Sequence, residues 1–176
     1  MPRDKAQAAA KAVVMLVLDV DGVFTDGGLY YDAKGGITKR FNVQDGLGVK
    51  LAQAAGLEVA VATGLDSEAV RLRIRELGIK EYFAGHLDKG DIVREISTRR
   101  GIPLEHMAYL GDDWVDVSAL KLVGLPMAVP NARREILELA AWVTERPGGH
   151  GAARDAIDFI LQARGLSEAL WKRWGG

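Results

Sequence analysis

The apolar positions of this 176-residue chain form short runs separated by segments with helical spacing. The first run, residues 13–18, has six apolar residues, which is short for a helix and typical of a strand buried on both faces. Further short runs lie at 57–62, 82–84, 106–110 and 125–129, and segments typical of helices lie between them. The first helix is predicted at 45–55, the second is capped by Asp66 or Ser67 and stops at Gly78, and the third follows residues 88–91 and carries Ile92, Val93 and Ile96. This alternation predicts an α/β fold with a mostly parallel sheet flanked by helices.

The remaining segments predict smaller elements of the same single domain, residues 1–176. Residues 28–43 place aromatic and β-branched residues on both sides of a Lys-Gly-Gly turn, which predicts a β-hairpin that projects over the site or pairs with another subunit. Pro126 limits the strand at 125–129 to an edge or a strand start. Helices are predicted at 132–140 and 151–163, with an extended stretch at 142–144. The tail at about 166–174 is amphipathic, and we expect its two tryptophans to pack against a neighbouring subunit.

Composition narrows the possible partners and compartments. A formal net charge of -1 gives no electrostatic reason to expect nucleic acid or an anionic membrane as a partner. The absence of cysteine excludes disulfides, thiolate catalysis and zinc-thiolate sites. No apolar run has membrane-spanning length, and the N-terminus has no signal-peptide core, so we expect a cytoplasmic protein.

Two carboxylates, Asp19 and Asp21, directly follow the first apolar run. Residues two apart in an extended chain point the same way, and open α/β sheets bind ligands at the carboxyl ends of their strands. A hard cation such as Mg²⁺ would neutralise the pair and leave room for a phosphate. A plain polar turn is the alternative for Asp-Val-Asp-Gly. An EF-hand is excluded because its fifth position would be Val23, which has no side-chain oxygen.

Three later polar signals accompany the predicted strands and helices. Thr63 and Gly64 end the second strand, Lys89 begins a helix, and Asp112 and Asp113 follow the strand at 106–110. Each also has a purely structural interpretation, as a strand end, a solvated charge at a helix start and an N-cap pair respectively. Their common placement around one predicted sheet edge favours a shared site.

In this order, the motifs resemble those of the haloacid dehalogenase (HAD) superfamily of phosphotransferases: Asp-x-Asp-x-Thr/Val, then Ser/Thr, Lys and an acidic pair. Segments 19–27, 41–46, 109–113 and 148–152 further resemble the 3-deoxy-D-manno-octulosonate 8-phosphate (KDO 8-phosphate) phosphatase family. This resemblance covers nearly the whole chain. It implies a Rossmann-like domain with a β-hairpin insertion and no large cap domain. It also implies a homotetramer in which neighbouring subunits help to cover each active site.

The resemblance also implies roles for the residues of the motifs. Asp19 would attack phosphorus and form an aspartyl-phosphate, and Asp21 would protonate the leaving sugar oxygen and then activate water. Mg²⁺ would be held by the Asp19 carboxylate, the Asp21 main-chain carbonyl and Asp112. The phosphoryl group would be bound by Thr63, the Gly64 amide and Lys89, and Asp113 would orient the metal shell or Lys89.

Two positions depart from the family pattern. Leu65 and His150 stand where the family often has arginine, which removes two permanently charged donors for an anionic substrate. Lys39, Arg40 and Arg154 are candidates to supply that charge, and alanine substitutions would test each through KM.

The predicted function is that of a Mg²⁺-dependent phosphomonoesterase for a sugar-acid phosphate, with KDO 8-phosphate as the leading substrate. One alternative is a phosphatase for nonulosonate (KDN or N-acylneuraminate) 9-phosphates. The other is a catalytically silent tetramerising or regulatory module, against which the complete set of motif residues argues.

Overall fold

The structure is a computed structural model that describes residues 3–174, without the side chains of Arg3 and Trp174. The strands are β1 (Met15–Leu18), β2 (Tyr30–Tyr31), β3 (Ile37–Thr38), β4 (Glu58–Thr63), β5 (Glu81–Ala84), β6 (Met107–Gly111), β7 (Leu125–Ala128) and β8 (Trp142–Val143). The α-helices are α1 (Arg3–Ala12), α2 (Val43–Ala54), α3 (Glu68–Leu77), α4 (Lys89–Arg100), α5 (Val117–Leu120), α6 (Arg134–Leu139), α7 (Ala152–Ala163) and α8 (Ser167–Trp174). Short 3₁₀ helices span Leu104–His106 and Trp114–Asp116.

Six of the strands form one parallel sheet in the order β5-β4-β1-β6-β7-β8. The central strand β1 places Leu16 opposite Val59 of β4 on one side and opposite Ala108 of β6 on the other. The carboxyl ends of β4, β1 and β6 are therefore neighbours, and the segments that leave them begin at the same edge. That edge is the ligand-binding edge of an open α/β sheet.

Helices cover both faces of this sheet, as the alternation along β1 shows. Leu16 and Leu18 pack into a core with residues of α1, α2, α3 and α7, whereas Met15 and Val17 pack into a second core with residues of α4, α5 and α6. All four residues of β1 are buried, which is why the run reads as continuously apolar. The predicted α/β fold, a parallel sheet flanked by helices, is confirmed.

The structure differs from the sequence prediction at α1, at α5, where no helix was predicted, and in the position of β7. The alanine-rich N-terminal segment forms α1, where Ala6 and Ala10 lie one helical turn apart and are buried, although no helix was predicted there. β7 is an inner strand between β6 and β8, so the edge-strand interpretation of Pro126 is wrong. The strand-start interpretation is correct, because Pro126 is the second residue of β7.

The predicted hairpin forms between β1 and α2. β2 and β3 pair antiparallel, and the Asp32 carboxylate closes their turn by accepting from the amides of Lys34 and Gly36 at 2.7 and 2.8 Å. At its base, Phe41 pairs with Thr25 in an antiparallel bridge and packs edge-to-face on Phe24, with ring centroids 5.8 Å apart. These contacts attach the hairpin to the loop that follows β1.

The C-terminal segment forms α8, in which Trp171 is 70% exposed and Leu170 packs on the core. The Trp174 side chain lies outside the described residues, and contact of this helix with another subunit stays a prediction. Within residues 3–174, every helix is too short or too polar to cross a membrane. The cytoplasmic location stays a prediction.

Candidate active site

Three carboxylates meet at the carboxyl edge of the sheet. Asp19 follows β1, Asp112 follows β6, and Asp116 ends the 3₁₀ helix Trp114–Asp116. One oxygen from each lies within 4.8 Å of the others. Asp19 extends the sheet pairing by donating its amide to Leu110 O at 3.0 Å, which fixes its place at this edge.

Lys89 is the buried cation of this cluster. Its Nζ donates to Asp19 Oδ1 at 2.8 Å, to Ala62 O at 3.1 Å and to Asp116 Oδ1 at 3.3 Å. Burial lowers the pKa of Lys89, but the attraction of Asp19 and Asp116 outweighs burial and raises that pKa above its usual value. The structure therefore excludes the interpretation of Lys89 as a solvated charge at a helix start.

Asp116 positions the other groups. Its Oδ1 also accepts from the buried Tyr109 hydroxyl at 2.7 Å, and its Oδ2 accepts from the amides of Asp112 and Asp113 at 2.9 and 3.2 Å. Both oxygens are thus fully engaged by donors, which argues for a positioning role and against direct metal ligation.

The expectation that Asp113 orients Lys89 is corrected, because Asp116 makes that contact. Asp113 is exposed, and its carboxylate accepts from the amide of Trp114 at 2.7 Å, as the N-cap of a capping box that Asp116 completes. The three-residue spacing of the two aspartates is a capping-box signal that the sequence carried. The sequence does not show that Asp116 is buried. Tertiary packing buries Asp116 and places its carboxylate against Lys89.

The cluster fits a hard divalent cation. Burial, followed by repulsion from Asp116, raises the pKa of Asp19 to about 7. Burial, followed by repulsion from Asp19 and Asp116, raises the pKa of Asp112 to about 8. Burial and like-charge repulsion both disfavour the ionised carboxylates, and a bound Mg²⁺ ion with oxygen ligands would stabilise them. The Asp21 main-chain carbonyl accepts from no donor in the described part of the chain, so it also remains free to bind a metal.

The Asp21 side chain lies at the mouth of the site and contacts the hairpin. Its Oδ1 accepts from Lys39 Nζ and lies 3.4 Å from Thr25 Oγ1, whose single proton has a closer acceptor in Val20 O at 3.2 Å. Sequence reasoning considered Lys39 only as a substrate-binding charge. The pairing with Asp21 depends on how the hairpin folds back over the loop after β1, which no local spacing signals.

Thr63 and Gly64 end β4, the strand next to β1. Thr63 is buried, and its hydroxyl lies 3.4 Å from Leu65 O. A Cβ added to Gly64 would lie 3.3 Å from Leu87 Cδ2, so the Leu87 side chain packs closely against the Gly64 backbone. The structure thus brings the predicted phosphate-binding residues to the same edge as Asp19.

Two glycines let the loops of this edge pack together. Gly22 has φ +85°, and a Cβ there would lie 2.1 Å from Asp112 Oδ2. A Cβ on Gly148 would lie 1.8 Å from Gly22 O. Asn131, which sequence reasoning missed, joins the same two loops by donating to Gly22 O at 3.0 Å and accepting from Gly148 N at 2.8 Å.

The cationic side chains at the rim have different surroundings. Arg40 is half exposed, and its Nη1 lies 3.2 Å from Gly149 O and 3.3 Å from His150 Nε2. Arg154 is held by Asp158, with Nε 2.8 Å from both carboxylate oxygens. Arg40 also forms an ion pair with Asp26, but at 3.7 Å and through the same Nη1. Lys39 is occupied by Asp21, whereas Nε and Nη2 of Arg40 have no partner within residues 3–174, so Arg40 is the candidate that keeps donor groups available to a ligand.

Several known proteins are similar to this chain in sequence and in fold. A family model described as haloacid dehalogenase-like hydrolase matches residues 81–154. A 3-deoxy-D-manno-octulosonate 8-phosphate phosphatase of Haemophilus influenzae is 42% identical over 164 residues, which cover 93% of this chain and 91% of that protein. A protein of Escherichia coli with the same description is 38% identical over 163 residues, which cover 92% of this chain and 87% of that protein.

A solved structure of a protein with the same description also resembles this chain. The crystal structure of 3-deoxy-D-manno-octulosonate 8-phosphate phosphatase from Moraxella catarrhalis, in complex with magnesium ion, phosphate ion and KDO, matches with a TM-score of 0.95 and 34% identity. The match covers 98% of this chain and 99% of that one. The resemblance drawn from the motifs is confirmed, and the chain belongs to the 3-deoxy-D-manno-octulosonate 8-phosphate phosphatase family of HAD-type phosphatases.

Proposed function

We propose that this protein is a Mg²⁺-dependent phosphomonoesterase that hydrolyses KDO 8-phosphate to KDO and inorganic phosphate. The observation that carries the proposal is the buried Lys89 held between Asp19 and Asp116, with Asp112 beside them and Asp21 at the mouth. The similarity to named KDO 8-phosphate phosphatases over nearly the whole chain supports the substrate.

The residues support a two-step reaction through an aspartyl-phosphate. In the first step, an Asp19 oxygen bonds to phosphorus, the bond from phosphorus to the sugar oxygen breaks, and Asp21 gives its proton to that oxygen. In the second, Asp21 takes a proton from water while the water oxygen bonds to phosphorus. The bond from phosphorus to Asp19 then breaks, which releases phosphate and restores the carboxylate.

The remaining residues bind and orient the phosphoryl group. Lys89 places positive charge against Asp19, and Thr63 and the Gly64 amide supply hydrogen-bond donors at the neighbouring strand end. The metal is held by the carboxylates of Asp19 and Asp112 and by the Asp21 carbonyl, with Asp113 beside this shell. When bound, Mg²⁺ supplies positive charge that offsets the charge on the phosphoryl oxygens.

A sugar acid also carries a carboxylate, for which we assign Arg40 as the binding group. Its guanidinium lies against the 148–150 loop and beside His150, close to the position where the family often has arginine. The guanidinium can form two parallel hydrogen bonds with a carboxylate, which a lysine cannot do.

The experiment that tests this function is release of inorganic phosphate from KDO 8-phosphate, a nonulosonate 9-phosphate and glucose 6-phosphate, with and without Mg²⁺. We expect the highest kcat/KM for KDO 8-phosphate, dependence on Mg²⁺, and no turnover in Asp19→Asn. Arg40→Ala should raise KM for the sugar acid by about tenfold and leave that for glucose 6-phosphate unchanged. Arg154→Ala, which removes an arginine held by both Asp158 oxygens at 2.8 Å, is the matched control.

A higher kcat/KM for the nonulosonate 9-phosphate would reassign the substrate while keeping the chemistry. No turnover of any ester by folded, Mg²⁺-supplied protein would contradict the phosphatase and favour the silent module. Equal effects of Arg40→Ala on the acidic and neutral substrates would remove Arg40 from carboxylate binding.

The proposal includes assembly as a homotetramer. It is supported by apolar side chains exposed on the hairpin, namely Leu29, Tyr30 and Tyr31, and by the exposed Trp171 of α8. Light scattering of the purified protein, compared with the 19.0 kDa chain mass, measures the number of subunits.

A further inference from the structure

The hairpin carries a buried lysine whose ammonium meets the Asp21 carboxylate. The Lys39 side chain is 0% exposed, whereas that of Asp21 is 32% exposed. In the part of the chain that the structure describes, the Lys39 ammonium donates only to Asp21. Burying an ammonium is costly unless it is paired, so this contact differs from an incidental surface ion pair.

The fold determines where Lys39 points. β3 ends at Thr38, and three residues later Phe41 is fixed to the loop after β1 by its bridge to Thr25 and its packing on Phe24. Lys39 lies between these two attachments, so the chain cannot move it away without breaking one of them. Arg40, the next residue, contacts the separate 148–150 loop.

The contacts of Asp21 are unequal between its two oxygens. Lys39 Nζ donates to Oδ1, and no donor among residues 3–174 reaches Oδ2. The Thr25 hydroxyl has one proton and lies nearer to Val20 O, at 3.2 Å, than to Asp21 Oδ1, at 3.4 Å, so Lys39 is the main donor to Asp21. The ammonium on one oxygen restricts rotation of the carboxyl group and leaves the other oxygen free to exchange a proton with substrate or water.

We propose that Lys39 is a positioning residue that holds Asp21 for proton transfer to the leaving sugar oxygen. This inference rests on the proposed phosphatase function and adds a role that the hairpin plays in the chemistry. As Asp21 gives up its proton, negative charge develops on its carboxylate, and the Lys39 ammonium lies against that charge. A fixed opposite charge, supplied here by a buried ammonium, stabilises such a transition state.

The role predicts that the effect of Lys39 depends on the leaving group. A sugar alkoxide needs a proton in order to leave, whereas p-nitrophenolate leaves without one. The experiment measures kcat/KM of wild type and Lys39→Met with Mg²⁺ for p-nitrophenyl phosphate, phenyl phosphate, an alkyl phosphate and KDO 8-phosphate. This parameter covers the steps through phosphoryl transfer to Asp19, so the later water step does not affect it.

We expect Lys39→Met to lower kcat/KM on the order of a hundredfold for the alkyl and sugar esters and less than about threefold for p-nitrophenyl phosphate. Lys34→Met, which removes an exposed lysine from the same hairpin, is the matched control and should match wild type for every ester. In an Asp21→Asn background, Lys39→Met should add no further loss, because Lys39 acts through Asp21.

Equal losses for all four esters would overturn the inference, because a purely structural defect does not depend on the leaving group. So would wild-type kcat/KM in folded Lys39→Met. If that variant does not fold, Lys39→Gln keeps a hydrogen-bond donor without the charge and should show the same leaving-group dependence to a smaller degree. A wild-type protein that hydrolyses none of the esters would instead overturn the proposed function.

Discussion

At the scale of single residues, the site depends on two buried lysines with different carboxylate partners. Lys89 lies between Asp19 and Asp116, and Lys39 meets Asp21 at the mouth. Asp116 touches none of the proposed substrate atoms, but its four hydrogen bonds join Lys89 and Tyr109 to the backbone after β6. Its contribution is therefore to hold other groups in place.

Asp116→Asn tests this positioning role. The amide would turn an NH₂ group towards backbone donors or towards Lys89, which leaves buried hydrogen bonds unmade. We expect the free energy of unfolding to fall by about 3 kcal/mol, as for a broken buried ion pair, and kcat to fall by about tenfold or more. Urea denaturation and phosphate release at saturating Mg²⁺ measure the two quantities.

Asp113→Asn is the matched control at the neighbouring exposed position. Asparagine caps a helix about as well as aspartate, so stability should change by about 0.5 kcal/mol or less and kcat by less than about twofold. A larger loss of kcat in Asp113→Asn than in Asp116→Asn would return the orienting role to Asp113.

At the scale of elements, the loop after β1 is held between two other loops. Gly22 lies against the Asp112 carboxylate, and its carbonyl accepts from Asn131, which also binds the amide of Gly148. The position has a left-handed backbone and no room for a Cβ, so glycine is required there for two independent reasons. This loop geometry sets the distance between Asp19 and Asp112.

Gly22→Ala should therefore weaken metal binding. The added Cβ would displace the Asp112 carboxylate, and we expect the Mg²⁺ concentration for half-maximal activity to rise by about tenfold or more. Gly56→Ala is the control, because Gly56 also has positive φ, at +70°, but no atom lies within 4 Å of its added Cβ. That variant should lose about 1 kcal/mol of stability with an unchanged Mg²⁺ requirement. Equal Mg²⁺ requirements in the two variants would contradict the contact with Asp112.

At the scale of the whole molecule, one buried carboxylate joins two helices beside the site. Asp45 lies in the first turn of α2 and accepts from the amide of Arg154 in the first turn of α7 at 2.8 Å. Its other oxygen, Oδ2, is buried and has no hydrogen-bond partner within residues 3–174. Burial raises the pKa of Asp45 from 3.8 to about 6, although the Arg154 amide and the charge of Arg146 oppose the shift.

This raised pKa predicts how stability depends on pH. The folded state binds the Asp45 proton more tightly than the unfolded state does. Protonated Asp45 therefore stabilises the fold fully below about pH 4, and this stabilisation is lost as the pH rises through about 6. The difference in unfolding free energy between wild type and Asp45→Asn should therefore change by about 2 kcal/mol between pH 4 and pH 7.

Urea unfolding at saturating Mg²⁺ measures this difference, since bound metal keeps the carboxylates of the cluster in one state. Asp91→Asn, which changes an exposed carboxylate in the first turn of α4, should follow the wild-type pH profile. Parallel profiles for wild type and Asp45→Asn would contradict the raised pKa.

The sequence by itself determined which residues reach the functional edge. Asp19, Thr63 and Asp112 each follow an apolar run, and Lys89 begins a helix, so local patterning was enough to predict their positions around the ends of parallel strands. The missed helix α1 shows the limit of such patterns, because alanine contributes little hydrophobic contrast until a neighbour buries it.

Only the tertiary structure decided how these groups are paired. Asp116 replaces Asp113 at Lys89, Lys39 meets Asp21, and Arg40 lies beside His150, the last contact joining residues 110 positions apart in the chain. Local spacing determines where strands and helices end because those signals act over a few residues. Contacts between distant segments depend on packing, loop path and burial, which the periodicity of a single segment does not contain.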